Sequence, residues 1–363
     1  MTDRSRPDSP ELDQSELLDT KFAVPRPRLP LVSRSRLLAR LDESLDYKLT
    51  LVSAPAGFGK TTLVAEWIAS RGEEHGGPPV AWLSLDPSDN DPVRFWRYVI
   101  ATLRAFETDL QQTLALLQSP QGPPLETILT AVINDLGRLP SARVLVLEDY
   151  HLITSDEIHE TLAFLIENLP TTLHVILTTR SDPPLPLAKL RARHELNEIH
   201  PAELRFSRDE TRAFLEEAVP FPLPSEAIEH LADRTEGWAA GLRLVALALQ
   251  RRRGAEDVRQ FLGTFGGGHR HVLEYLAEEV FEAQSGPVQD FLLRTSFLSR
   301  LTGSLCDAIT GRDDGAVTLE QLERANLFLV SLDDTHQWYR YHALFAEAMH
   351  QYARRRLDRK SVV

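Results

Sequence analysis

Through roughly the first two hundred positions, short unbroken apolar runs alternate with stretches whose apolar residues recur every three or four places. The runs are Leu49–Val52, Val80–Leu85, Val144–Leu147 and Val175–Leu177, with Leu196 to Ile199 as a last, weaker one. Each is short and rich in Val, Leu and Ile, as strands of a parallel sheet covered on both faces require. Between them, Leu63/Val64/Trp67/Ile68, the set from Phe95 to Phe106, Leu125 to Leu139 and Asp156 to Leu169 carry apolar residues at helical spacing. Buried strands alternating with amphipathic helices predict a doubly wound α/β domain.

At Ser207 the pattern changes, and almost everything beyond reads helical. Ser207 with Glu210 three places later is a capping box, and Thr318 with Gln321 is a second, starting a helix to Ala325. Helices are expected over Thr211 to Ala218, Ser225 to Thr235, Trp238 to Arg252, Val272 to Phe281, Val288 to Thr295 and Ser304 to Thr310. Leu327 to Leu332, the turn Asp333-Asp334-Thr335 and Trp338 to His342 then predict a hairpin, followed by a helix from Ala343 to Arg356. Helices followed by a hairpin is the winged-helix order.

At the other end, residues 1–20 are acidic and rich in Ser and Pro, which reads as a flexible lead-in. Three prolines hold Phe22 to Pro30 extended, and a short amphipathic helix follows to about Leu45. The expected organisation is a tail (1–21), a nucleotide-binding domain with its N-terminal arm (22–204), a helical domain (205–265) and a winged-helix domain (266–363).

The chemistry centres on Ser53-Ala54-Pro55-Ala56-Gly57-Phe58-Gly59-Lys60-Thr61-Thr62, where a strand breaks, passes two glycines and restarts as a helix. Strand, glycine-bearing bend and helix N-terminus make a phosphate-binding loop. The glycines let backbone N–H groups face a phosphate, and the helix adds partial positive charge there. Lys60 is placed to reach the β/γ-phosphates and Thr61 to hold Mg²⁺. Ala54 stands where the strict pattern has Gly. Further on, Val144–Leu147 delivers Glu148 and Asp149 to the carboxyl end of a buried strand, the end at which ligands bind in such sheets. Leu173 to Thr179 likewise ends at Arg180, which can add positive charge near a γ-phosphate or sit on the surface of the following loop. Two readings also stand for the tight helix start Gly237-Trp238-Ala239-Ala240-Gly241-Leu242, a hinge or a wall against adenine. The basic prolyl arm upstream of the loop can equally be a cover for the sheet edge.

Composition narrows the class. The chain has 363 residues, 42% hydrophobic and 26% charged, with a net charge of −13 that argues against non-specific nucleic-acid binding by the whole. No apolar run nears the roughly 18 residues of a spanning helix, and the first residues lack a signal peptide's apolar centre, so a cytoplasmic protein is expected. Its one cysteine, Cys306, excludes an internal disulfide and reads as a small buried hydrophobe among Leu301, Leu305 and Ile309.

Taken together, SAPAGFGKTTL, WLSLD, VLVLEDYHLI, ILTTRSDPPLPLAKLRAR, ELRFS, EGWAAGLRLVALAL and WYRYHALFAEAM resemble the ATP-dependent LuxR-family transcription activators of the MalT type, within the STAND signal-transducing NTPases. The resemblance runs over roughly residues 22–356. It implies a P-loop α/β domain, a small helical domain and a winged-helix domain, the switch module that precedes a sensor and a DNA-binding domain. By that resemblance Ala56, Gly57, Phe58, Gly59, Lys60, Thr61 and Thr62 hold the nucleotide phosphates. Thr61, Glu148 and Asp149 hold Mg²⁺, and Glu148, Asp149 and Arg180 serve hydrolysis. Val32 and Arg34 cover adenine, and His342 reaches the β-phosphate of ADP to lock a closed state. Glu148 departs from the family's usual Asp and is a methylene longer, which leaves the hydrolysis rate open.

The function expected is a regulatory ATP/ADP switch, closed with ADP, opened for self-association by ATP and an inducer, with slow hydrolysis as reset. A nucleotide-binding scaffold with little hydrolysis and a stand-alone signalling ATPase are the alternatives. No direct DNA binding is expected from this chain, whose wing carries Asp333 and Asp334.

Overall fold

The computed structural model describes residues 17–26, 31–71, 76–106, 122–250 and 269–360, with a few isolated positions between. Residues 1–16 of the expected lead-in, the end of the prolyl segment (27–30), Pro120, Arg251, Arg252 and the Gly267-Gly268 part of the glycine linker lie outside them.

Helix α1 (Ser35–Asp42) precedes β1 (Leu49–Ser53), and α2 (Lys60–Arg71) leads to β2 (Val80–Ser84). Next come α3 (Pro92–Leu103), α4 (Leu125–Leu136), β3 (Arg143–Glu148), α5 (Asp156–Glu167), β4 (Leu173–Thr179), α6 (Leu187–Ala192) and β5 (Leu196–Ile199). The five strands pair in parallel in the order β2-β3-β4-β1-β5. Alternate residues of each strand enter different cores. Leu49, Leu51, Leu145, Leu147, Val175 and Leu177 pack under α3 to α6, while Val52, Val144, Val146 and Ile176 face α1 and α2. This second core continues without interruption through the helices and into the C-terminal elements. A sheet buried on both faces is what the unbroken apolar runs predict, and the doubly wound arrangement is observed.

Order begins before Phe22, within the stretch read as flexible. The turn Asp19–Phe22 packs by β2, because the Lys21 ammonium, 6% exposed, is clamped between Asp86 (2.8 Å) and Asp89 (2.5 Å) over the Tyr98 ring. A lysine neutralised by two carboxylates can be buried where a lone one cannot.

Beyond the sheet lie α7 (Pro201–Leu204), α8 (Arg208–Ala218), α9 (Ser225–Thr235) and α10 (Ala239–Gln250). The Ser207–Glu210 capping box forms as expected, with the Glu210 N–H donating to Ser207 Oγ at 3.1 Å and the Ser207 N–H to Glu210 at 2.9 Å. Then α11 (Arg270–Leu276) widens into a π turn (Ala277–Phe281), followed by α12 (Gly286–Thr295), α13 (Gly303–Thr310) and α14 (Gly315–Arg324). A hairpin of β6 (Leu329–Ser331) and β7 (Tyr339–Tyr341) precedes α15 (Ala343–Lys360). Helices, hairpin and closing helix form a C-terminal winged helix.

Two local expectations are corrected. The Thr318–Gln321 pair is not a cap, because α14 begins a turn earlier at Gly315. There α13 and α14 touch closely enough that a Cβ on Gly315 would meet the Gly303 carbonyl at 2.5 Å. The cap comes instead from the neighbouring helix, with Asp307 accepting the Gly315 N–H at 2.7 Å. Cys306 is fully buried beside a fully buried Leu301, but Leu305 and Ile309 are 37% and 39% exposed and do not enclose it.

Candidate functional site

Gly57 and Gly59 take φ of +76° and +82°, which side chains resist, and they swing the chain from β1 into the N-terminus of α2. The bend is held from outside as well as by its own sequence. The Ala240 N–H donates to the Gly57 carbonyl at 2.9 Å, and the Trp238 indole N–H donates to the Ala56 carbonyl at 3.1 Å. A Cβ on Gly57 would meet Ala240 at 2.5 Å, the Tyr275 hydroxyl at 2.8 Å and Trp238 at 2.9 Å. The glycine is therefore required for packing against α10 as much as for conformation. Phe58 turns inward, 2% exposed, onto Phe328 beside the hairpin at a ring separation of 5.9 Å.

The Lys60 ammonium donates to the Ala54 (2.7 Å) and Pro55 (3.1 Å) carbonyls inside the bend. Burial lowers its pKa to about 8, against the pull of Asp149 in the other direction, while Arg180 adds to the lowering. Asp149 sits at φ +58°, a left-handed conformation uncommon for a residue with a side chain, and its N–H donates to Thr178 Oγ1 at 3.1 Å. Burial raises its pKa, Glu148 raises it further, and Lys60 and Arg180 oppose both. Lys60, the adjacent pair Glu148 and Asp149, and Arg180, from three separate stretches, are thus brought close enough for the other charges to act on Lys60 and Asp149. Glu148 is 7% exposed and accepts a 2.6 Å hydrogen bond from Ser84 Oγ at the end of β2. Arg180 follows β4, and both of its terminal nitrogens are engaged by Glu279 of the π turn.

On the α2 side of the bend lies a cavity of about 340 Å³ lined by Val32, Gly57, Gly59, Thr61, Thr62 and Phe206, with Arg34 at its wall. Arg34 is 5% exposed, and its guanidinium donates to the Leu204 (2.6 Å) and Arg205 (3.0 Å) carbonyls while lying 4.6 Å over the Phe206 ring. Burial lowers the Arg34 pKa to about 10. Its guanidinium holds the arm on the end of α7, while Val32 adds an apolar side chain to the cavity wall.

His342 directly follows β7. It is 1% exposed, its Nε2 lies 3.0 Å from the Thr235 carbonyl, and its Nδ1 has no hydrogen-bond partner. Burial lowers its pKa to about 4, with Glu236 opposing the shift, so the ring is neutral and donates through Nε2. The Trp238 ring, which bonds the bend at Ala56, packs edge-on against His342 at 6.1 Å.

Sequence reasoning singled out Gly237 and Trp238, as a hinge or a wall against adenine, but missed Thr235 and Glu236 beside them, which help organise these contacts. Thr235 takes His342, Gly237 packs on Phe206 and Trp238 takes the phosphate loop. Glu236, at φ +48°, accepts from Arg340 through both oxygens (2.8 Å each), from the Ala343 N–H (2.9 Å) and from Arg205 (3.2 Å).

The description "MalT winged helix domain" matches residues 277–361. The HTH-type transcriptional regulator MalT of Serratia proteamaculans is 38% identical over 337 residues, covering 92% of this chain and 36% of the relative. MalT of Yersinia enterocolitica is 35% identical over 336 residues with the same coverage of each chain. Among solved structures, Cdc6p from Pyrobaculum aerophilum aligns with a TM-score of 0.43 and 14% identity, over 93% of this chain and 99% of that one. The chain spans about 36% of the length of the curated relatives named here. Among the described residues, no helix is long and apolar enough to cross a membrane.

Proposed function

We propose that this chain, a homologue of the MalT-type transcriptional regulators over 92% of its length, is the nucleotide-responsive part of such a regulator. The observation that carries the reading is the double attachment of one glycine bend. On one side it opens to a cavity lined by Thr61 and Thr62, and on the other it is bonded to Trp238 and packed on Phe328. Occupancy of the cavity and the seating of the winged helix therefore act on the same five or so backbone units.

The donor set fits a nucleoside di- or triphosphate with Mg²⁺. The bend and the first turn of α2 offer N–H groups, Lys60 supplies a buried cation, and Thr61 offers a hydroxyl at the cavity. Lys60 would exchange its two carbonyl partners for phosphate oxygens, and Val32 would cover the base, adenine by the family resemblance. Mg²⁺ would be held by Thr61 and, through water, by the two acids. When bound it neutralises phosphate charge and aligns it for in-line attack by water. The chain's own residues do the rest. Asp149, within electrostatic reach of Lys60 and Arg180, orients water.

A nucleotide can move an equilibrium only between states that bind it unequally. In this reading ADP favours the packed arrangement, ATP with an inducer favours opening and self-association, and slow hydrolysis restores the first. A second reading, nucleotide binding with little turnover, is favoured by one observation. Glu148, the longer acid, is already engaged by Ser84 at 2.6 Å.

The test is equilibrium binding of fluorescent ADP and ATP, together with identification of any nucleotide released when freshly purified protein is denatured. Lys60→Ala is expected to lose affinity for both by at least tenfold. Retention of wild-type affinity overturns the assignment of the phosphate loop.

A further inference from the structure

The Arg180 guanidinium lies within electrostatic reach of both Lys60 and Asp149, and so belongs to the field of the phosphate loop. Yet its two terminal nitrogens are both taken by one residue, Glu279. Nη1 donates to the Glu279 backbone carbonyl and Nη2 to the Glu279 carboxylate, each at 3.1 Å. Glu279 stands in the π turn Ala277–Phe281, a local widening of a helix that is uncommon and concentrates at functional positions. That turn lies within the stretch matched as a winged helix, whereas Arg180 directly follows a strand of the parallel sheet. A cavity of about 320 Å³ separates them from the bend, lined by Pro55, Ala56, His151, Arg180, Glu279 and Asn326.

We propose that Glu279 holds the arginine that a terminal phosphate would otherwise engage, and so sets the preference of the packed protein for a diphosphate over a triphosphate. The inference rests on the nucleotide-switch reading above and names the residue on the winged-helix side that senses the third phosphate. A guanidinium presents its donors as a rigid planar fork, and a carbonyl and a carboxylate of one residue already occupy both prongs. A third phosphate could reach Arg180 only by displacing Glu279, and the carboxylate left behind would repel it. A diphosphate, one group shorter, makes no such demand. Triphosphate binding is thereby coupled to release of the π turn, and release of the π turn favours triphosphate to the same degree. Both partners are partly exposed, 36% and 47%, so the coupling is that of a modest ion pair and the selectivity at stake is several-fold.

The test compares affinities for ADP and for a slowly hydrolysed ATP analogue by displacement of a fluorescent nucleotide from the full chain, in wild type, Glu279→Gln, Arg180→Gln, the double variant and Lys60→Ala. Glu279→Gln keeps the shape and removes the charge. It is expected to tighten triphosphate binding by about three- to fivefold, the upper part of the range of such a pair, while ADP affinity stays within about twofold. In the Arg180→Gln background the same change should have no effect, because the gain depends on freeing that arginine. Equal shifts for the two nucleotides, or a gain that persists without Arg180, overturn the proposal. If Lys60→Ala loses both nucleotides while Glu279→Gln leaves their ratio untouched, the role of Glu279 fails alone. If Lys60→Ala binds both normally, the nucleotide site itself is misplaced and the proposal falls with it.

Discussion

Replacing Glu236 by Gln tests whether one carboxylate ties the winged helix to the rest of the molecule. Glu236 is placed immediately after α9, and its partners come from two other regions: Arg340 and the Ala343 N–H from the hairpin and α15, Arg205 from the end of α7. Burial by itself would raise its pKa, but the hydrogen bonds from Arg340 and Ala343 and the nearby charges outweigh it, and the pKa falls from 4.5 to about 2. The side chain is only 12% exposed, so solvent screening removes little of this. The gap corresponds to about 3 kcal/mol of folding stability at neutral pH. Because the folded pKa is depressed, that contribution is complete above the unfolded value of 4.5 and is lost as pH falls toward 2. Urea unfolding at pH 7 should show Glu236→Gln less stable than wild type by about 2–3 kcal/mol, and the difference should shrink to about half near pH 3. A difference below about 0.5 kcal/mol at pH 7, or one that does not depend on pH, would show that Arg340 and α15 are held by something else.

Two further outcomes concern the coupling itself. Trp238→Ala removes a fully buried indole and its bond to Ala56, and should cost about 3–5 kcal/mol in urea unfolding. It should also weaken ADP binding, whereas a stable variant with normal ADP affinity would show that the bend does not depend on α10. His342→Ala deletes the buried ring beside Trp238 and should speed ADP release several-fold in stopped-flow displacement; an unchanged rate removes the histidine from the lock.

The fold was largely legible because each strand is buried on both faces, and burial of that kind writes itself as an apolar run. The glycine bend was legible for a similar local reason: Gly57 and Gly59 meet conformational demands that few other residues satisfy. Ser225–Thr235 appears as a helix with the bounds its periodicity predicts, and the Ser207–Glu210 box caps α8 because all of its bonds are local. What the sequence concealed is tertiary. Nothing near Thr318 announced that Asp307, on another helix, would cap α14 and move its start to Gly315. Nothing around Glu148 announced Ser84, which is 64 residues away and adjacent only because β2 and β3 pair in register.

Phe58 shows how these hidden contacts bear on function. A phosphate loop needs its glycines, its lysine and its hydroxyl, but the residue between the glycines is free to serve packing. Here it packs on Phe328, which lies 5.3 Å from Trp238, 5.4 Å from Phe345 and 5.7 Å from His342. Aromatic rings in a closely packed core cannot move independently without opening voids. A shift of the bend must therefore be absorbed by Phe328, Trp238 or both, and each of them contacts His342. The same bend that would meet the phosphates is consequently part of the winged-helix core. A change at phosphates bound there would reach α15 by direct packing, with Glu236 and Arg180 as two charged ties opposing it.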